Sequence, residues 1–242
     1  MNTNNRQLDS DGFTIIELMI ALSVLATILL MTTVILIQIN SLYSKGINSA
    51  KLQNSARTIT ADVQSAIQFG NYTNPSNPVS TVGPNTWGDY ATCIGTVRYT
   101  YKLDYELGID GGRPSTPNTL HVLWRDNLKN SSYTCKPLDI SVAKVISDNI
   151  STDGGGSTPS TGYEMVPDHV RLGKFSITQA SPNVYSVDIS MAYGDDDLLI
   201  KSGSSLPAPL TGTEYSYNCR GNTGTQFCAA SEINTVVTGR TN

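Results

Sequence analysis

The chain has 242 residues, of which 39% are hydrophobic and only 15% are charged, and its formal net charge at pH 7 is −4. This length allows one membrane-anchoring helix and one sizeable domain. The acidic balance argues against a general nucleic-acid-binding surface, because such a surface needs a basic stripe that releases counterions from the phosphate backbone. Nucleic acid is therefore not an expected partner.

The N-terminal part of the chain begins with a polar leader, residues 1–12, and continues as a long apolar run, residues 13–39. Between Leu18 and Ile37 the run has no charged residue. These 20 residues, rising about 1.5 Å each as a helix, span roughly 30 Å, which is the thickness of a bilayer core. The run is too long for the apolar region of a secretory signal, and no A-x-A-like cleavage site follows it. It predicts a helix that spans a membrane.

Glu17 is the one carboxylate in the apolar run, and it lies five positions after Gly12. A carboxylate at membrane depth costs roughly 2.5–3.5 kcal/mol on insertion scales, so it normally has a partner and a task. The nearest candidate partner is the α-amino group that Phe13 would gain if the chain were cut after Gly12, one helical turn from Glu17. Between neighbouring subunits this amine and the carboxylate would form an ion pair that the low dielectric of hydrocarbon strengthens. The alternative is a signal-anchor helix with an incidental glutamate near its end.

The sequence GFTIIE at residues 12–17, followed by an apolar helix, resembles the class III signal of type IV prepilins and type II secretion pseudopilins. This resemblance implies cleavage between Gly12 and Phe13 by prepilin peptidase, N-methylation of Phe13, and use of Glu17 in filament assembly. It implies as partners other pilin subunits, the prepilin peptidase/methylase and the inner-membrane assembly platform. No cofactor is expected.

Residues 40–69 continue the apolar run as an amphipathic helix. Apolar residues recur there at three- and four-residue steps, which places them on one helical face. They are Leu52, Ala56, Ile59, Val63 and Ala66 or Ile67. No proline interrupts residues 13–69, and Gly70 with Asn71 is a suitable helix stop. We therefore expect one continuous helix whose second half packs against a sheet.

Residues 70–242 are expected to form a β-rich head domain. The prolines, asparagines and serines of residues 71–89 predict a loop. Residues 97–107 then alternate between apolar and polar side chains, which predicts a strand with a tyrosine-rich face laid on the long helix. Asp104 and Glu106 share the opposite, exposed face of this predicted strand. Paired carboxylates on an open face are not expected to catalyse a reaction without a cleft.

Further along the head domain, residues 119–125 predict a second strand, and residues 139–150 fit either a short helix or a strand. Residues 151–162 are rich in glycine and serine and predict a surface loop. Residues 170–179 and 184–193 both alternate in polarity. Four turn-forming residues separate them, so they predict an antiparallel hairpin.

Four cysteines, Cys93, Cys135, Cys219 and Cys228, all follow the membrane segment. An even count in a translocated domain is typical of two disulfides, and three pairings are possible. The pairing that closes the smaller loops is Cys93–Cys135 with Cys219–Cys228, and we prefer it. The second loop is also similar to the disulfide-bounded loop that many pilins carry near the C-terminus. Because the chain has two histidines and no CxxC spacing, no zinc site is expected.

Asp195, Asp196 and Asp197 are the one candidate metal site, for calcium. Calcium needs six to eight oxygens in a shaped loop and the EF-hand spacing is absent, so a solvated acidic turn is the favoured interpretation. His121 and His169 lie in segments that read as strands. Neither histidine accompanies a G-x-S-x-G motif, and no P-loop or dinucleotide fingerprint occurs. The sequence therefore predicts no enzyme.

Together these patterns and the resemblance imply an α+β, pilin-like fold in which a long N-terminal helix packs on an antiparallel sheet. The order of helix, strands and hairpin is also similar to that of the larger minor pilins of the W or J type. The implied protein is a minor pilin of a type IV pilus, held as a single-pass protein in the cytoplasmic (inner) membrane before assembly and extracellular afterwards. The alternatives are a type II secretion minor pseudopilin in a periplasmic pseudopilus, and a pilin-like adhesin or DNA-uptake subunit.

Overall fold

The computed structural model describes residues 13–70, 79–84, 88–106, 122–128, 135–137, 150–151, 160–206, 210–221 and 227–239. The chain divides into two compact units, with the division between Tyr43 and Ser44. The described part has one long helix, α1 (Ile15–Phe69), and antiparallel sheets. The fold class is therefore α+β and pilin-like, as the sequence predicted.

In the first unit, α1 is apolar around its whole circumference. Every large apolar side chain from Phe13 to Tyr43 is more than half exposed. The hydroxyls of Ser23, Thr27 and Thr32 donate to carbonyl oxygens three residues earlier, so these polar groups are satisfied within the helix. Among the described residues, α1 is the one helix long and apolar enough to cross a membrane. A helix that is apolar on all sides requires a lipid or protein environment.

In the second unit, α1 buries the predicted face. Its fully buried residues are Leu52, Ala56, Ile59, Val63, Ala66 and Ile67, and they belong to the same core as the strands. The helix ends at Phe69, directly before the glycine that was expected to end it. The Gly70 N–H donates to the Ala66 carbonyl oxygen at 2.8 Å, which satisfies a carbonyl of the last turn. Both the periodicity and the stop are confirmed.

The described strands, in chain order, are β1 (Val79–Val82), β2 (Tyr90–Ile94), β3 (Val97–Tyr101), β4 (Leu123–Asn127), β5 (Ile150–Ser151), β6 (Ser160–Glu164), β7 (Val170–Ser181), β8 (Val184–Tyr193), β9 (Leu199–Ser205), β10 (Thr213–Cys219) and β11 (Ala229–Thr238). They form a six-stranded sheet in the order β1-β2-β3-β4-β6-β5, a three-stranded sheet in the order β11-β8-β7, and the hairpin β9–β10. All of these pairings are antiparallel.

The six-stranded sheet corrects several sequence boundaries. The predicted loop 71–89 contains β1, and the predicted loop 151–162 overlaps β5 and β6. In the described part of the predicted second strand, the strand runs from Leu123 to Asn127, and residues 119–121, which include His121, lie outside the described residues. Most of residues 139–150, the segment of undecided type, also lies outside them. Short strands bounded by polar residues give too little alternation for these limits to be seen.

The strand predicted at 97–107 is shorter than expected and has no exposed polar face. It ends at Tyr101, and the chain then turns at Asp104, which has a φ of 63°, outside the extended region. Arg98 is buried on the face that was expected to be solvated, and its Nε donates to Asp126 Oδ1 at 2.9 Å. Glu106 is also buried. Charged residues alternate here because they pair inside the protein.

The hairpin predicted from residues 170–193 is confirmed as β7 and β8, with a shorter turn than expected. Asn183 takes a φ of 61° in that turn. The other side of β8 is occupied by β11, which pairs with it from Ala229 opposite Tyr193 to Thr238 opposite Val184. The sequence analysis missed β11, since its alternation of small polar and apolar residues is weak.

The hairpin β9–β10 lies against the other sheets through two glycines. A Cβ on Gly173, at a bulge in β7, would lie 2.2 Å from the Tyr215 carbonyl oxygen. Gly212 has a φ of +137°, and a Cβ there would lie 1.9 Å from the Tyr90 hydroxyl oxygen. That hydroxyl donates to the Thr211 carbonyl at 2.9 Å. These close approaches fix the hairpin on β2 and β7.

Candidate functional site

The first candidate site is the beginning of α1, where Thr14 and Glu17 form a reciprocal hydrogen-bonded pair. The Glu17 backbone N–H donates to Thr14 Oγ1 at 3.3 Å. In return, Glu17 Oε2 accepts from the Thr14 backbone N–H at 3.1 Å and from the Thr14 hydroxyl at 2.9 Å. This is a capping box, in which Thr14 is the N-cap and Glu17 the third helical residue. The spacing T-x-x-E is the sequence signal for it, and the sequence analysis did not use it.

The capping box marks the residue at which the helix begins, Ile15. Phe13 and Thr14 precede the helix, and the Phe13 side chain is 76% exposed. Within the described residues, both side-chain bonds of Glu17 go to Oε2, and its Oε1 accepts none. Gly12 lies outside the described residues. The site therefore presents an exposed carboxylate oxygen and an exposed aromatic ring beside a capped helix end.

The second candidate site is a chain of ion pairs where the segment after β3 meets β7 and the β9–β10 hairpin. Its buried pair is Glu106 with Arg171, and the Oε2–Nη2 distance is 2.7 Å. Arg171 Nη1 also lies 3.1 Å from Asp196 Oδ1. Lys201 Nζ lies 2.7 Å from that same oxygen and 2.9 Å from Asp104 Oδ1. The charges alternate in sign along the cluster. Because they come from the segment after β3, from β7 and from the β9–β10 region, the ion pairs link these parts of the fold.

These contacts bear on the calcium candidate at Asp195, Asp196 and Asp197. The hydrogen bond from Lys201, with the nearby charge of Arg171, lowers the pKa of the Asp196 carboxyl below its ordinary value. Its carboxylate thus faces two protein cations. The described residues contain no group of three or more His, Cys, Asp or Glu placed to hold a metal ion. Of the three aspartates, Asp196 is thus the one that pairs with protein cations in the described contacts.

His169 was predicted to lie in a strand, and that prediction is wrong. It occupies a turn before β7 with a φ of 64°, and its Nδ1 lies 3.1 Å from Glu106 Oε1. Asp104 and Glu106 also do not share an open strand face, because the chain turns between them and Glu106 is buried against Arg171. Asp104 therefore contacts Lys201, whereas Glu106 contacts Arg171.

Glu164, at the end of β6, is a partly buried carboxyl group that the sequence analysis did not single out. Its oxygens accept from the backbone N–H groups of Val122 and Leu123, each at 2.9 Å, and of Val166 at 3.0 Å. Burial nevertheless raises the pKa of Glu164 to about 7, against the lowering effect of these donors. Glu164 therefore ties β6 to the start of β4 through a group that titrates near neutral pH.

Both disulfides join the cysteines that the sequence analysis preferred to pair, Cys93 with Cys135 and Cys219 with Cys228. The first holds the segment 135–137 beside β2, and Arg98 Nη1 donates to the Lys136 carbonyl there at 3.3 Å. The second links the end of β10 to the residue before β11. No free cysteine is found among the described residues.

Comparison with known proteins identifies the N-terminal site. The family model described as "Prokaryotic N-terminal methylation motif" matches residues 9–33, which include the capping box and the first part of α1. No curated protein and no solved structure matches the chain. The chain therefore carries the class III signal of the type IV pilin-like proteins, a class of structural subunits that includes pilins and pseudopilins. The signal and the exposed apolar helix indicate a membrane-anchored precursor.

Proposed function

We propose that the protein is a minor pilin, a structural subunit of a type IV pilus that prepilin peptidase processes and that assembles through its N-terminal helix. The observation that carries this proposal is the exposed apolar half of α1, which contains Glu17 in its first turn and whose first part lies within the methylation motif at residues 9–33. A surface of this kind needs lipid before assembly and neighbouring subunits afterwards.

The proposed maturation divides the chain at the boundaries expected from the sequence. Residues 1–12 are the leader, and hydrolysis of the Gly12–Phe13 bond leaves a carboxylate on the leader and an amine on Phe13, which is then methylated. Residues 13–39 lie in the membrane and later in the filament core. Residues 40–69 belong with the head domain, residues 70–242. The partners are other pilin subunits, the prepilin peptidase/methylase and the inner-membrane assembly platform.

Two physical contributions support assembly. The apolar side chains of the first half of α1 leave lipid and pack against the same half of neighbouring subunits. Glu17 then sets the register, because its exposed carboxylate oxygen can accept from the amine on Phe13 of a neighbouring copy. In hydrocarbon a displaced neighbour leaves this charge unpaired, at a cost of several kcal/mol. Registers other than the paired one are thereby disfavoured.

The same N-terminal features support a second candidate, a minor pseudopilin of a type II secretion system, because the methylation motif is common to both groups. The two candidates differ in where the mature subunit is found. A pilin is recovered in fibres sheared from the cell surface, whereas a pseudopilin stays in the periplasm and its loss stops secretion of exported proteins.

The test is the mass of the mature chain and its location. The full chain is produced in cells with and without prepilin peptidase, and its N-terminus is read by mass spectrometry. The expected product begins at Phe13 and carries one added methyl group. Recovery of that product in sheared surface fibres supports the pilin, and its retention in the periplasm supports the pseudopilin. A chain that still begins at Met1 in cells with active peptidase contradicts both.

A further inference from the structure

We propose that residues 135–137 form a redox-dependent strap: the Cys93–Cys135 disulfide holds this segment over the buried Arg98–Asp126 ion pair, and reduction of the disulfide opens that pair to solvent. The inference concerns the head domain alone. It rests on the proposed function for the compartment, since a head on the extracytoplasmic side of the membrane meets oxidising conditions.

The first argument is that the disulfide and the ion pair lie in one row across the six-stranded sheet. Cys93 of β2 is opposite Arg98 of β3, and Arg98 is opposite Asp126 of β4. Directly opposite residues of antiparallel strands point to the same face of a sheet. Tyr99 points to the other face, where its hydroxyl contacts α1, because successive side chains of a strand alternate. The row therefore lies on the face opposite to α1.

The second argument is what the strap contacts on that face. Its Cys135 is partly exposed and is bonded to Cys93, which is buried in β2. The Lys136 carbonyl oxygen accepts a hydrogen bond from Arg98 Nη1 at 3.3 Å. Cys135 Sγ also lies 3.4 Å from the carbonyl oxygen of Ser80 in β1. The strap thus reaches β1, β2 and β3, and on β3 it contacts the guanidinium group itself.

The third argument is the burial of the ion pair. The Arg98 and Asp126 side chains are 1% and 0% exposed, and Arg98 Nε and Nη2 both donate to the Asp126 carboxylate. The cost of taking two charges out of water is offset only when their remaining donors and acceptors are also bonded. The Lys136 carbonyl supplies one such bond, to Nη1. When the strap moves away, Nη1 loses this acceptor and water takes its place.

The disulfide is the contact that fixes the strap in this position. It joins cysteines 42 residues apart in sequence, whereas Cys219 and Cys228 are 9 residues apart. Breaking the longer loop gives the chain the larger increase in conformational freedom. The contacts of the strap with Arg98 and Ser80, at 3.3 and 3.4 Å, are at the weak end of the hydrogen-bond range. Without the disulfide, we therefore expect the strap to leave the sheet.

Closing the strap is an oxidation. The Cys93 and Cys135 thiols each lose a proton, their sulfurs form the S–S bond, and two electrons pass to a disulfide oxidant, which becomes two thiols. Dithiothreitol reverses the step, because it supplies two electrons and two protons and becomes a cyclic disulfide. The position of the strap therefore follows the redox conditions around the head domain.

The experiment measures how fast phenylglyoxal, which modifies accessible guanidinium groups, labels each arginine of the full chain in detergent micelles. Peptide mass spectrometry gives the separate rates. The test variant is Cys93→Ser with Cys135→Ser. The matched control, Cys219→Ser with Cys228→Ser, removes the other disulfide. We expect Arg98 to react at least about tenfold faster in the test variant than in the parent, and at the parent rate in the control.

Two other arginines serve as internal standards. Arg57 is exposed on α1 and should react rapidly in every variant. Arg171 is buried in β7 and paired with Glu106, and it should stay slow because β7 belongs to a different sheet. Fast reaction of Arg171 together with Arg98 would show that the whole head had unfolded, and it would overturn a local strap.

A second measurement uses the Cys219→Ser/Cys228→Ser chain, in which dithiothreitol can act on the Cys93–Cys135 disulfide alone. Dithiothreitol should start the labelling of Arg98, and its replacement by oxidised glutathione should return the labelling to the slow rate. An Arg98 that stays protected after the disulfide has been reduced overturns the inference. A chain that is never cut between residues 12 and 13 overturns instead the proposed function and leaves the labelling result as it is.

Discussion

The Tyr99 hydroxyl of β3 donates a hydrogen bond of 2.6 Å to Oδ2 of Asp62 on α1. Arg125 of β4 approaches the same oxygen at 3.4 Å, so one carboxylate on the helix holds two strands. Burial, together with the charge of Asp62, raises the pKa of the Tyr99 phenol well above its ordinary value. The phenol therefore stays protonated and remains a donor in any solution that leaves the protein folded.

Tyr99→Phe should lower the free energy of unfolding of the head domain by about 1–2 kcal/mol, because it removes a bond to a charged acceptor at the helix–sheet contact. Denaturant unfolding measures this change. The matched control is Tyr163→Phe, since Tyr163 is 46% exposed and its ring lies beside Arg125. That control should stay within about 0.5 kcal/mol of the parent. Equal effects of the two substitutions would contradict the assignment.

Gly212→Ala should destabilise the head domain by at least about 2 kcal/mol. The added methyl group would lie 1.9 Å from the Tyr90 hydroxyl oxygen, and the φ of +137° is strained for any L side chain. Gly221→Ala is the control, because a Cβ at Gly221 meets no atom within 4 Å. Thermal unfolding of the two variants provides the comparison. A Gly212→Ala protein as stable as the control would show that the hairpin is not fixed on β2 as described.

Glu164 should make the head domain less stable as pH rises from about 4.5 to about 7. Its pKa is raised from an ordinary 4.5 to about 7 in the folded chain, so the native state binds more protons across that interval than the unfolded state does. The difference corresponds to about 3 kcal/mol, fully lost above the higher value. Glu164→Gln, which cannot ionise, should remove this contribution.

The measurement for Glu164 is the difference in unfolding free energy between Glu164→Gln and the parent at several pH values. Taking the difference cancels the titration of the other carboxyl groups that the substitution does not disturb. The variant should gain on the parent with rising pH up to about 7 and then follow it at a constant interval. A difference that is flat from pH 4.5 to 7.5, or that falls, would show that Glu164 titrates normally.

Gly12→Ala should leave a precursor that keeps residues 1–12 and stays in the membrane. The resemblance to prepilins implies that the peptidase recognises glycine before the cleavage point, and alanine adds a Cβ that glycine lacks. Immunoblotting of membrane fractions distinguishes the two chain lengths. Normal maturation of this variant would refute the assigned cleavage point.

Glu17→Val should be inserted and cleaved but should enter filaments poorly. The substitution removes the partner of the neighbour's Phe13 amine, yet Thr14 keeps its hydroxyl and still accepts from the N–H of residue 17. The amounts of mature subunit in membranes and in sheared fibres measure the two steps separately. Assembly at the parent level would contradict the role of Glu17 in register.

The long helix and the central hairpin could be predicted from the sequence because each has a strong period. The face from Leu52 to Ile67 repeats every three or four residues, and β8 alternates between half-buried and buried residues from Val184 to Ile189. Much of the rest escaped because tertiary contacts decide it. Arg98 was expected on a solvated face, because the sequence does not show that Asp126 lies opposite it. His169 was expected in a strand, because the sequence does not show its contact with Glu106. At the N-terminus the class III motif could be recognised, whereas the second role of Glu17, in a helix cap, was missed although the T-x-x-E spacing indicates it.

The position of β11 affects how the head domain folds. β11 is the last described strand in chain order, yet it covers the whole length of β8, including Ile189 opposite Ile233. A polypeptide terminated before Ala229 would have the anchor and most of the head but would leave β8 with an open edge prone to pairing with other chains. The edge of β8 is therefore protected from other chains only after the chain has been made as far as β11 and this strand has paired.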